Sequence, residues 1–445
     1  MRYYFRRWLL LIAAQLLVVC TLYLMLQDSQ VRTLLSTLLG WLEGRGMYLC
    51  NIRKFPMVFE HGHEHYYVVW ETSCPANGSS LEWWLDDVPG SGSSMLHHFV
   101  KAQYKMVDKS HHRYSAIIGP VGLAAKVRYR SNSLGKSTSQ YSIARRNETE
   151  MTRVLVIADN QNGPTEFRRV LSGIRNHYGS NSVPDAILHV GDGVQDVHKL
   201  SDWQNQFFSP LEDGGGYQHR SPTVFVPGNH DHDKARVPGN GNVYTDMYHG
   251  ILTTDGLGNP AVVNGTYHRF YHTVSLGSAR IIVLDSECPS TKQSKFLEQE
   301  LQSNAFQSAR FRIVAVHIPP FIEFWSSYAW NEKGEKHWGE QVRLEYDALF
   351  RRHNVDLVIS GHQHNYQRGT VQRNPQSADP SDTITYAIVG GAGGELDLER
   401  VENWNMYNVT YLGHHFVSLE VDSRQLRWLA KNKAGTIIDQ FNIVR

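Results

Sequence analysis

Two histidines stand two residues apart at the end of an apolar run, in the stretch "VISGHQHNYQR". His362 and His364 follow Gly361 closely, so a short loop after a buried strand would present both imidazoles. Imidazoles at a strand end are typical metal ligands when the rest of the chain supplies partners for them. Without such partners, the interpretation as an ordinary polar loop would be the better one.

Residues of metal-binding type also follow four other apolar runs. They are Asp159 after "VLVIA", Asp192 after "AILHV" and a glycine, Asn229-His230-Asp231 after "TVFVP" and a glycine, and His317 after "RIVAV". In α/β sheets, ligands gather at the carboxyl ends of the strands. Carboxylates, imidazoles and one amide carbonyl together suit Zn, Fe or Mn. The pattern predicts a two-metal centre, which activates a water and stabilises the oxygens of an in-line displacement at phosphorus.

The strands that would position these residues belong to two regions of different texture. From about Met151, apolar strands alternate with segments of helical periodicity, such as "FRRVLSGIRNHY", and this predicts an α/β layered domain. From about Val58 to Arg145, short β-rich runs are separated by Gly, Ser, Pro and Asn. That spacing predicts a β-sandwich of roughly 90 residues.

The N-terminus carries a separate signal. The run from Trp8 to Leu26 has 19 residues and no charge, which approaches the length needed to cross a hydrocarbon core of about 30 Å. It is longer than the apolar part of a cleaved signal and lacks a clear small-x-small site, so we expect an uncleaved signal anchor, with a cleaved signal as the alternative. Arg2, Arg6 and Arg7 precede the run. They predict a single-pass type II membrane protein whose body is lumenal or extracellular.

Sequons and cysteines fit an oxidising compartment. The sequons begin at Asn77, Asn147, Asn264 and Asn408, and they predict a glycoprotein if the host is a eukaryote. A bridge between Cys50 and Cys74 is one alternative for the cysteines after the anchor, and two free thiols are the other. Lys plus Arg is 44 and Asp plus Glu is 43, so the charge balance gives no reason to expect a nucleic-acid partner.

The order of these motifs resembles that of the calcineurin-like metallophosphoesterases, over residues 150–445. "GHQHNYQR" and "GGAGG" are similar to sequences of the purple acid phosphatases, and residues 58–146 resemble the fibronectin-III-like β-sandwich that precedes their catalytic domain. The resemblance implies an α/β metallophosphoesterase fold, a layered β-sandwich core with flanking helices, preceded by that sandwich. The apolar run adds an N-terminal transmembrane helix before both domains. Residues 1–30 would form a cytoplasmic tail and signal anchor, and residues 31–57 a connector.

The resemblance also implies roles for single residues. Asp159 and His364 would hold the first metal, Asp192 would bridge, and Asn229, His317 and His362 would hold the second. His230 would face the substrate phosphate and stabilise the developing charge or protonate the leaving oxygen, with Asp231 orienting it. His337 stands where purple acid phosphatases place additional substrate-binding histidines.

The chain departs from the family pattern at the first metal. Most members have a histidine two residues after the first aspartate, where this chain has Gln161. Purple acid phosphatases instead use a tyrosine three residues after the bridging aspartate, where this chain has Gln195. An amide oxygen of Gln161 or Gln195 would replace these ligands. Because an amide is neutral and weaker than a phenolate, Zn, Mn or ferrous iron become better candidates than ferric iron.

These observations predict a metal-dependent phosphoesterase acting on phosphomonoesters or phosphodiesters, with metal-bound hydroxide as the nucleophile. Its partners would be a phosphate ester substrate and the membrane, through the N-terminal helix. The alternative is a catalytically impaired, membrane-anchored binding protein that keeps the fold, and Gln161 and Gln195 motivate it. A protein phosphatase would use the same core motif. The aromatics of "FIEFWSSYAW" either line the substrate mouth or pack inside.

Overall fold

The structure is a computed structural model that describes most of the chain after Asn51. The described residues are 50–61, 64–86, 96–121, 126–144, 151–179, 182–231, 262–263, 266–267, 271–287, 290–325, 338–374, 376–377, 379 and 382–445. The expected signal anchor and His337 lie outside them. Within these ranges, no helix is long and apolar enough to cross a bilayer.

Two large sheets dominate the described residues. The ten-stranded sheet has the order β24 (Ile437–Val444), β23 (Gln425–Asn432), β22 (His415–Val421), β10 (Thr152–Ile157), β11 (Ala186–His189), β12 (Thr223–Phe225), β1 (Ile52–Glu60), β2 (Tyr66–Thr72), β6 (His111–Ile118) and β5 (Gln103–Asp108). The seven-stranded sheet has the order β15 (His272–Leu276), β16 (Ala279–Leu284), β17 (Phe311–Val316), β18 (Leu357–Ser360), β20 (Thr383–Val389), β19 (Tyr366–Gln372) and β21 (Tyr407–Tyr411).

Two smaller sheets complete the strands. One contains β4 (His98–Lys101), β3 (Ser80–Asp86), β7 (Lys126–Ser133) and β8 (Lys136–Ser137), and β9 (Tyr141–Ala144) also pairs with β7. The other pairs β13 (Val262–Val263) with β14 (Thr266–Tyr267).

The two large sheets pack face to face, and alternation along the strands explains how. In β10, Val154 and Val156 join a buried cluster that includes Ile281 and Ile313 of the seven-stranded sheet. The intervening Leu155 instead joins the cluster on the outer face of the ten-stranded sheet. β10 therefore buries both faces, which explains why it appears as a continuous apolar run in the sequence.

Helices cover the outer faces of this double layer. They are α1 (Pro164–Tyr178), α2 (Leu200–Asp202), a π-helical turn (Trp203–Phe208), α3 (Ser209–Asp213), a 3-10 turn (Tyr217–His219), α4 (Thr291–Gln302), α5 (Asn304–Gln307) and α6 (Trp338–Arg352). Pro164 starts α1, where its missing N–H costs nothing, and the Ser290 side chain accepts a hydrogen bond from the N–H of Gln293 to cap α4. The predicted layered core with flanking helices is confirmed.

The N-terminal strands form a second pair of packed sheets. β1, β2, β6 and β5 face β3 and β7 across a cluster that contains Trp70, Leu81 and Tyr129. Their sheet is not separate from the central one, because β1 pairs in parallel with β12 through Phe59 and Thr223. The strands also begin at Ile52, earlier than the predicted boundary at residue 58.

A disulfide joins Cys50 to Cys74, with a Cα–Cα distance of 5.4 Å. The two cysteines meet because β1 and β2 are antiparallel and place Ile52 opposite Thr72, next to the bridge. Of the two alternatives for these cysteines, the structure therefore contains the bridge.

Strand direction positions the candidate site. β10, β11 and β12 run parallel to one another in the first sheet. In the second sheet β16, β17, β18 and β20 are also mutually parallel. The loops that follow β10, β11, β12, β17 and β18 carry the predicted metal ligands, and these loops meet at one edge of the double layer.

Candidate metal centre

Seven of the predicted metal ligands lie together in what is called the metal centre below. They are Asp159, Gln161, Asp192, Asn229, His317, His362 and His364. One ligand atom from each of Asp192, His317 and His362 lies within 4.8 Å of the others. Asn229 joins this group, because its Oδ1 is 3.1 Å from His317 Nε2 and 2.9 Å from His362 Nδ1. These four residues are the ones predicted to surround the second metal.

The remaining residues form an adjoining group. His364 Nε2 lies 3.6 Å from Asp159 Oδ1, and the side-chain nitrogen of Gln161 lies 3.1 Å from His364 Nε2. Asp192 belongs to both groups, since its Oδ2 is 3.3 Å from His317 Nε2 and 3.2 Å from Gln161 Nε2. Asp192 thus contacts both groups through one carboxylate oxygen.

Backbone carbonyls orient two of the imidazoles. His317 donates from Nδ1 to the carbonyl of Val190 at 2.7 Å, and His364 donates from Nδ1 to the carbonyl of Glu395. Each hydrogen bond engages Nδ1 and leaves Nε2, which faces the carboxylates, as the nitrogen that can bind a metal ion once it is deprotonated. This is the arrangement that a metal-binding histidine needs.

Three of the ligands have a left-handed backbone conformation. The φ angles are 61° at Asp159, 55° at Asp192 and 67° at His362. Such conformations cost about 1–3 kcal/mol each in residues other than glycine, and they concentrate at functional sites. Hydrogen bonds hold the strained loops, because the His362 N–H donates to Asp159 Oδ2 at 2.9 Å and the His230 N–H donates to Asp192 Oδ1 at 2.9 Å.

Two glycines of the motifs are required by close packing against the carboxylates. A Cβ on Gly228 would lie 2.2 Å from Asp192 Oδ1, and a Cβ on Gly361 would lie 2.5 Å from Asp159 Oδ2. No side chain fits at those distances, so any larger residue would displace the ligand.

The buried charges of the centre favour a cation. Asp159 and Asp192 are 0% and 1% exposed. Burial raises the pKa of the Asp159 carboxyl, whereas His317 and His230 overcome burial and lower the pKa of Asp192. Burial alone would lower the pKa of His317, but Asp192 and Asp159 raise it to about 10. A metal ion would supply the positive charge that these carboxylates otherwise obtain from a protonated imidazole.

Gln161 and Gln195, the two alternatives for the amide ligand, lie in different environments. Gln161 is 2% exposed, and its Oε1 accepts no hydrogen bond from the described part of the chain. A half-turn of its amide exchanges oxygen and nitrogen, and would place Oε1 between Asp192 and His364. Gln195 is exposed on the loop after β11. A buried amide that lies beside imidazole and carboxylate groups and has an unpartnered oxygen can turn that oxygen toward a metal ion, so the geometry favours Gln161.

His230 and Asp231 do not interact in the predicted way. His230 is half-buried at the open side of the centre, and its Nδ1 donates to the carbonyl of Gln195 at 2.9 Å. The carboxylate of Asp231 instead accepts backbone N–H groups of Asp192 at 2.7 Å, Gly193 at 3.2 Å and Gly228 at 2.9 Å. Because Asp231 is fully buried beneath these loops, its oxygens satisfy the backbone, and the Gln195 carbonyl orients His230.

Burial and the charge of Asp192 raise the pKa of Asp231 to about 7, against the hydrogen bonds from the backbone. His337, the other predicted substrate-binding residue, lies outside the described residues.

Sequence reasoning missed Gln206, which connects two loops of the centre. Its Oε1 accepts the N–H of Asn162 at 2.9 Å and the N–H of Gln195 at 2.8 Å. Gln206 lies in the π-helical turn, an element that is rare outside functional regions. Its sequence neighbourhood, "DWQNQFF", carries no motif, so only the long-range contacts identify it.

The tail of the "GHQHNYQR" motif is structural. Tyr366 donates to Asp439 at 2.6 Å, and Arg368 forms an ion pair with the same carboxylate. The two side chains therefore fix β19 against β24 across the space between the sheets. Trp203, another aromatic near the loops, is fully buried and donates from Nε1 to the carbonyl of Val197 at 2.9 Å.

Comparisons with known proteins agree with this geometry. The family model for calcineurin-like phosphoesterases matches residues 152–366. "Fe(3+)-Zn(2+) purple acid phosphatase 12" of Arabidopsis thaliana is 29% identical over 230 residues, which cover 48% of this chain and 42% of the relative. "Probable inactive purple acid phosphatase 24" of the same organism is 25% identical over 283 residues, which cover 59% of this chain and 43% of the relative. The matched region thus spans less than half of either relative.

A solved structure resembles the whole arrangement. A purple acid phosphatase from yellow lupin (Lupinus luteus) seeds superposes with a TM-score of 0.66 at 17% identity, over 88% of this chain and 74% of the lupin chain. At that identity the likeness shows the fold alone. Residues 152–366 match the calcineurin-like phosphoesterase family, and the chain is similar to purple acid phosphatases in sequence and in fold.

Proposed function

We propose that the chain is a metal-dependent phosphoesterase, which hydrolyses phosphomonoesters or phosphodiesters at the metal centre. The observation that carries the proposal is the position of Asp192, whose Oδ2 lies within 3.3 Å of both His317 Nε2 and the Gln161 amide. A buried carboxylate shared by two sets of neutral donors has the geometry that two adjacent cations need.

The donors divide into two sets. Asp159, His364, Asp192 and Gln161 would hold the first metal ion, and Asp192, Asn229, His317 and His362 the second. Bound metal ions would neutralise the carboxylates, polarise the phosphoryl oxygens and activate a water. The name of the first Arabidopsis relative gives ferric iron and zinc. We infer Zn, Mn or ferrous iron for this chain, because the first set contains a neutral amide and no tyrosine.

His230 would act on the substrate side. Its backbone N–H is fixed by Asp192 and its Nδ1 by the Gln195 carbonyl, so Nε2 is the atom left for the substrate. In this position Nε2 would hold a proton against a phosphoryl oxygen or pass it to the leaving oxygen. Asp231 would contribute by holding the backbone of the loop that follows the bridging aspartate. A substrate contact by His337 stays a prediction.

We also propose roles for the parts of the chain outside the metal centre. Residues 58–146 would be a fibronectin-III-like β-sandwich and residues 150–445 the metallophosphoesterase domain, anchored by residues 1–30 as a single-pass type II protein. Asn77 and Asn408 are exposed, which suits glycosylation in a lumen or outside the cell. The disulfide between Cys50 and Cys74 suits the same oxidising compartment.

A second candidate is a binding protein with an impaired centre. Gln161 replaces the family's first-metal histidine, and Gln195 is exposed where purple acid phosphatases have a tyrosine ligand. One Arabidopsis relative is named as a probable inactive enzyme. Against this candidate, the other six ligands and His230 lie together around the centre.

Metal content and turnover, measured on the same sample, separate the two candidates. The full chain, purified and analysed for bound metals, should contain two ions and hydrolyse p-nitrophenyl phosphate or bis-p-nitrophenyl phosphate. Asp192→Asn should lose both metal and turnover, and His230→Ala should keep the metal and lose turnover. Metal-loaded protein that cleaves neither ester nor a phosphopeptide would favour the binding protein.

A further inference from the structure

An indole ring borders the open side of the metal centre. The ring of Trp325 lies 4.6 Å from the ring of His362, centroid to centroid, and the planes are tilted by 58°. His362 in turn contacts Asn229, with 2.9 Å between Nδ1 and Oδ1. Trp325, Asn229 and His230 are all half-buried, whereas His362 is buried. Trp325 is therefore a partly accessible aromatic side chain that packs against a ligand predicted for the second metal.

The segment that carries Trp325 is fixed by a buried carboxylate. Glu323 is fully buried, and its side chain accepts the N–H of Trp404 at 2.9 Å and pairs with Arg400 at 3.2 Å. Its carbonyl accepts the N–H of Val401 at 2.8 Å, and its N–H donates to Gln363 Oε1 at 3.2 Å. Because Gln363 stands between His362 and His364 in the chain, this contact links the segment directly to the metal-ligand loop.

The residues before Glu323 are tied to the same partner segment. Trp404 donates from Nε1 to the carbonyl of Ile322 at 2.9 Å, and Tyr407 donates to the carbonyl of Phe321 at 2.8 Å. Phe321 and Phe324 are buried, at 9% and 6% exposure. Trp325, in contrast to these two phenylalanines, stays partly accessible. These contacts hold the backbone of residues 321–323, directly before the segment end that carries Trp325, beside the metal-ligand loop.

We propose that Trp325 is an aromatic wall of the substrate pocket, and that the centre prefers phosphate esters whose leaving group is an aryl or another planar ring. The inference rests on the proposed function and names its substrate class. An indole stacks on planar rings, and a wall that is already ordered loses little conformational entropy on binding. Glu323 is the positioning residue, because it holds the segment through its side chain and both backbone groups.

Two phosphonates that cannot be hydrolysed test the preference directly. Phenylphosphonate and methylphosphonate share the phosphoryl group that the metals would bind and differ in the ring. Calorimetry on the metal-loaded full chain should find phenylphosphonate about tenfold tighter, within the range of a single aromatic stacking contact. Trp325→Leu should reduce that ratio to about twofold, because phenylphosphonate loses the stacking contact. Trp325→Phe should retain most of the ratio.

Control variants distinguish a role of Trp325 as an aromatic wall from a general effect on folding. Phe99→Leu, at an aromatic residue of β4 that is 69% exposed, should leave the ratio unchanged. Glu323→Gln should lower the ratio in part, because the ion pair with Arg400 is lost. A wild-type ratio near one, or a ratio that Trp325→Leu leaves intact, would overturn the aromatic wall and leave the phosphoesterase untouched. If the metal-loaded chain binds neither phosphonate, the proposed function fails with it.

Discussion

The metal centre and a cluster in the N-terminal strands both keep carboxylates out of water, but with different partners. In that cluster, called the Glu71 cluster, Glu71 is fully buried and lies 2.9 Å from Lys54 Nζ and 3.0 Å from Arg113 Nη2. In the metal centre, Asp159 and Asp192 face imidazoles and an amide. In the Glu71 cluster, the chain itself supplies the cations, as Lys and Arg side chains. In the metal centre, the partners are an amide and imidazoles, which are neutral when they are unprotonated and can then bind a metal ion.

Protonation reflects the same difference. Burial would raise the pKa of Glu71, but Lys54 and Arg113 overcome it and lower that pKa to about 2. In the metal centre, burial raises the pKa of Asp159, and Asp159 and Asp397 raise the pKa of His364 to about 9 against the effect of burial. Carboxylates paired with Lys and Arg keep permanent cations, whereas carboxylates paired with imidazoles can exchange the imidazole protons for a metal ion. Removal of a carboxylate charge from each group should therefore have different consequences.

The largest expected effect follows from Asp192→Asn, which keeps the shape of the side chain and removes its charge. We expect loss of bound metal and a fall in kcat of about 10³-fold, comparable to the loss of a principal electrostatic group in an active site. Elemental analysis and steady-state kinetics on one preparation measure both. Asn132→Asp on β7 adds a carboxyl away from the centre and serves as a control. Retained metal and turnover in Asp192→Asn would show that the shared carboxylate is dispensable.

Glu71→Gln should instead lower the stability of the chain and leave its metal content unchanged. It leaves Lys54 and Arg113 buried without their carboxylate, which should lower the free energy of unfolding by about 3 kcal/mol. Metal content should not change, since the ion pairs of Glu71 run to Lys54 and Arg113 within the N-terminal strands. Denaturant unfolding followed by circular dichroism measures the first quantity and elemental analysis the second. A stable variant that had lost its metal would contradict the distinction between the two clusters.

The pH dependence of stability should single out the same residue. The pKa of Glu71 is lower in the folded chain, about 2 against 4.5, so its contribution is complete above the unfolded value and disappears as the pH falls through the folded one. Between about pH 4.5 and 2, wild type should lose about 3 kcal/mol more than Glu71→Gln, because one pKa unit corresponds to about 1.4 kcal/mol. Parallel pH profiles for the two proteins would rule out the ion pairs as the source.

A smaller effect is expected from Gln206→Leu, which removes the oxygen shared by the backbone of Asn162 and Gln195. The loops should loosen and displace Gln161 and the carbonyl that orients His230, with a fall in kcat/KM of about tenfold. Gln206→Glu retains an acceptor and should keep most of the activity. Equal losses in both variants would mean that Gln206 acts through volume alone, and kinetics with calorimetric metal titration distinguishes these cases.

Much of the metal centre was accessible to sequence reasoning because its information is local. Each ligand follows its own apolar strand, and parallel strands place such ends at one edge, so Asp159, Asp192 and His317 were predicted to meet. The resemblance of the glycine-containing motifs to those of the calcineurin-like metallophosphoesterases strengthened that expectation. The layered α/β core followed from the same continuous apolar runs.

The remaining features depend on contacts between distant residues. Asp231 was expected to orient His230 because the two are adjacent, yet its buried carboxylate satisfies three backbone amides instead. The choice between Gln161 and Gln195 needed the direction of each side chain. The continuous ten-stranded sheet depends on the pairing of Phe59 with Thr223, 164 residues later, for which the sequence has no local signal.

The most direct test of the shared carboxylate is anomalous X-ray diffraction from crystals of the metal-loaded chain. We predict two anomalous peaks on either side of the Asp192 carboxylate, one within bonding distance of His364 and a Gln161 oxygen, the other beside Asn229, His317 and His362. A single peak at the second set, with the Gln161 amide still hydrogen-bonded to His364, would contradict the two-metal centre. It would leave a chain that binds one metal ion and lacks the bridge.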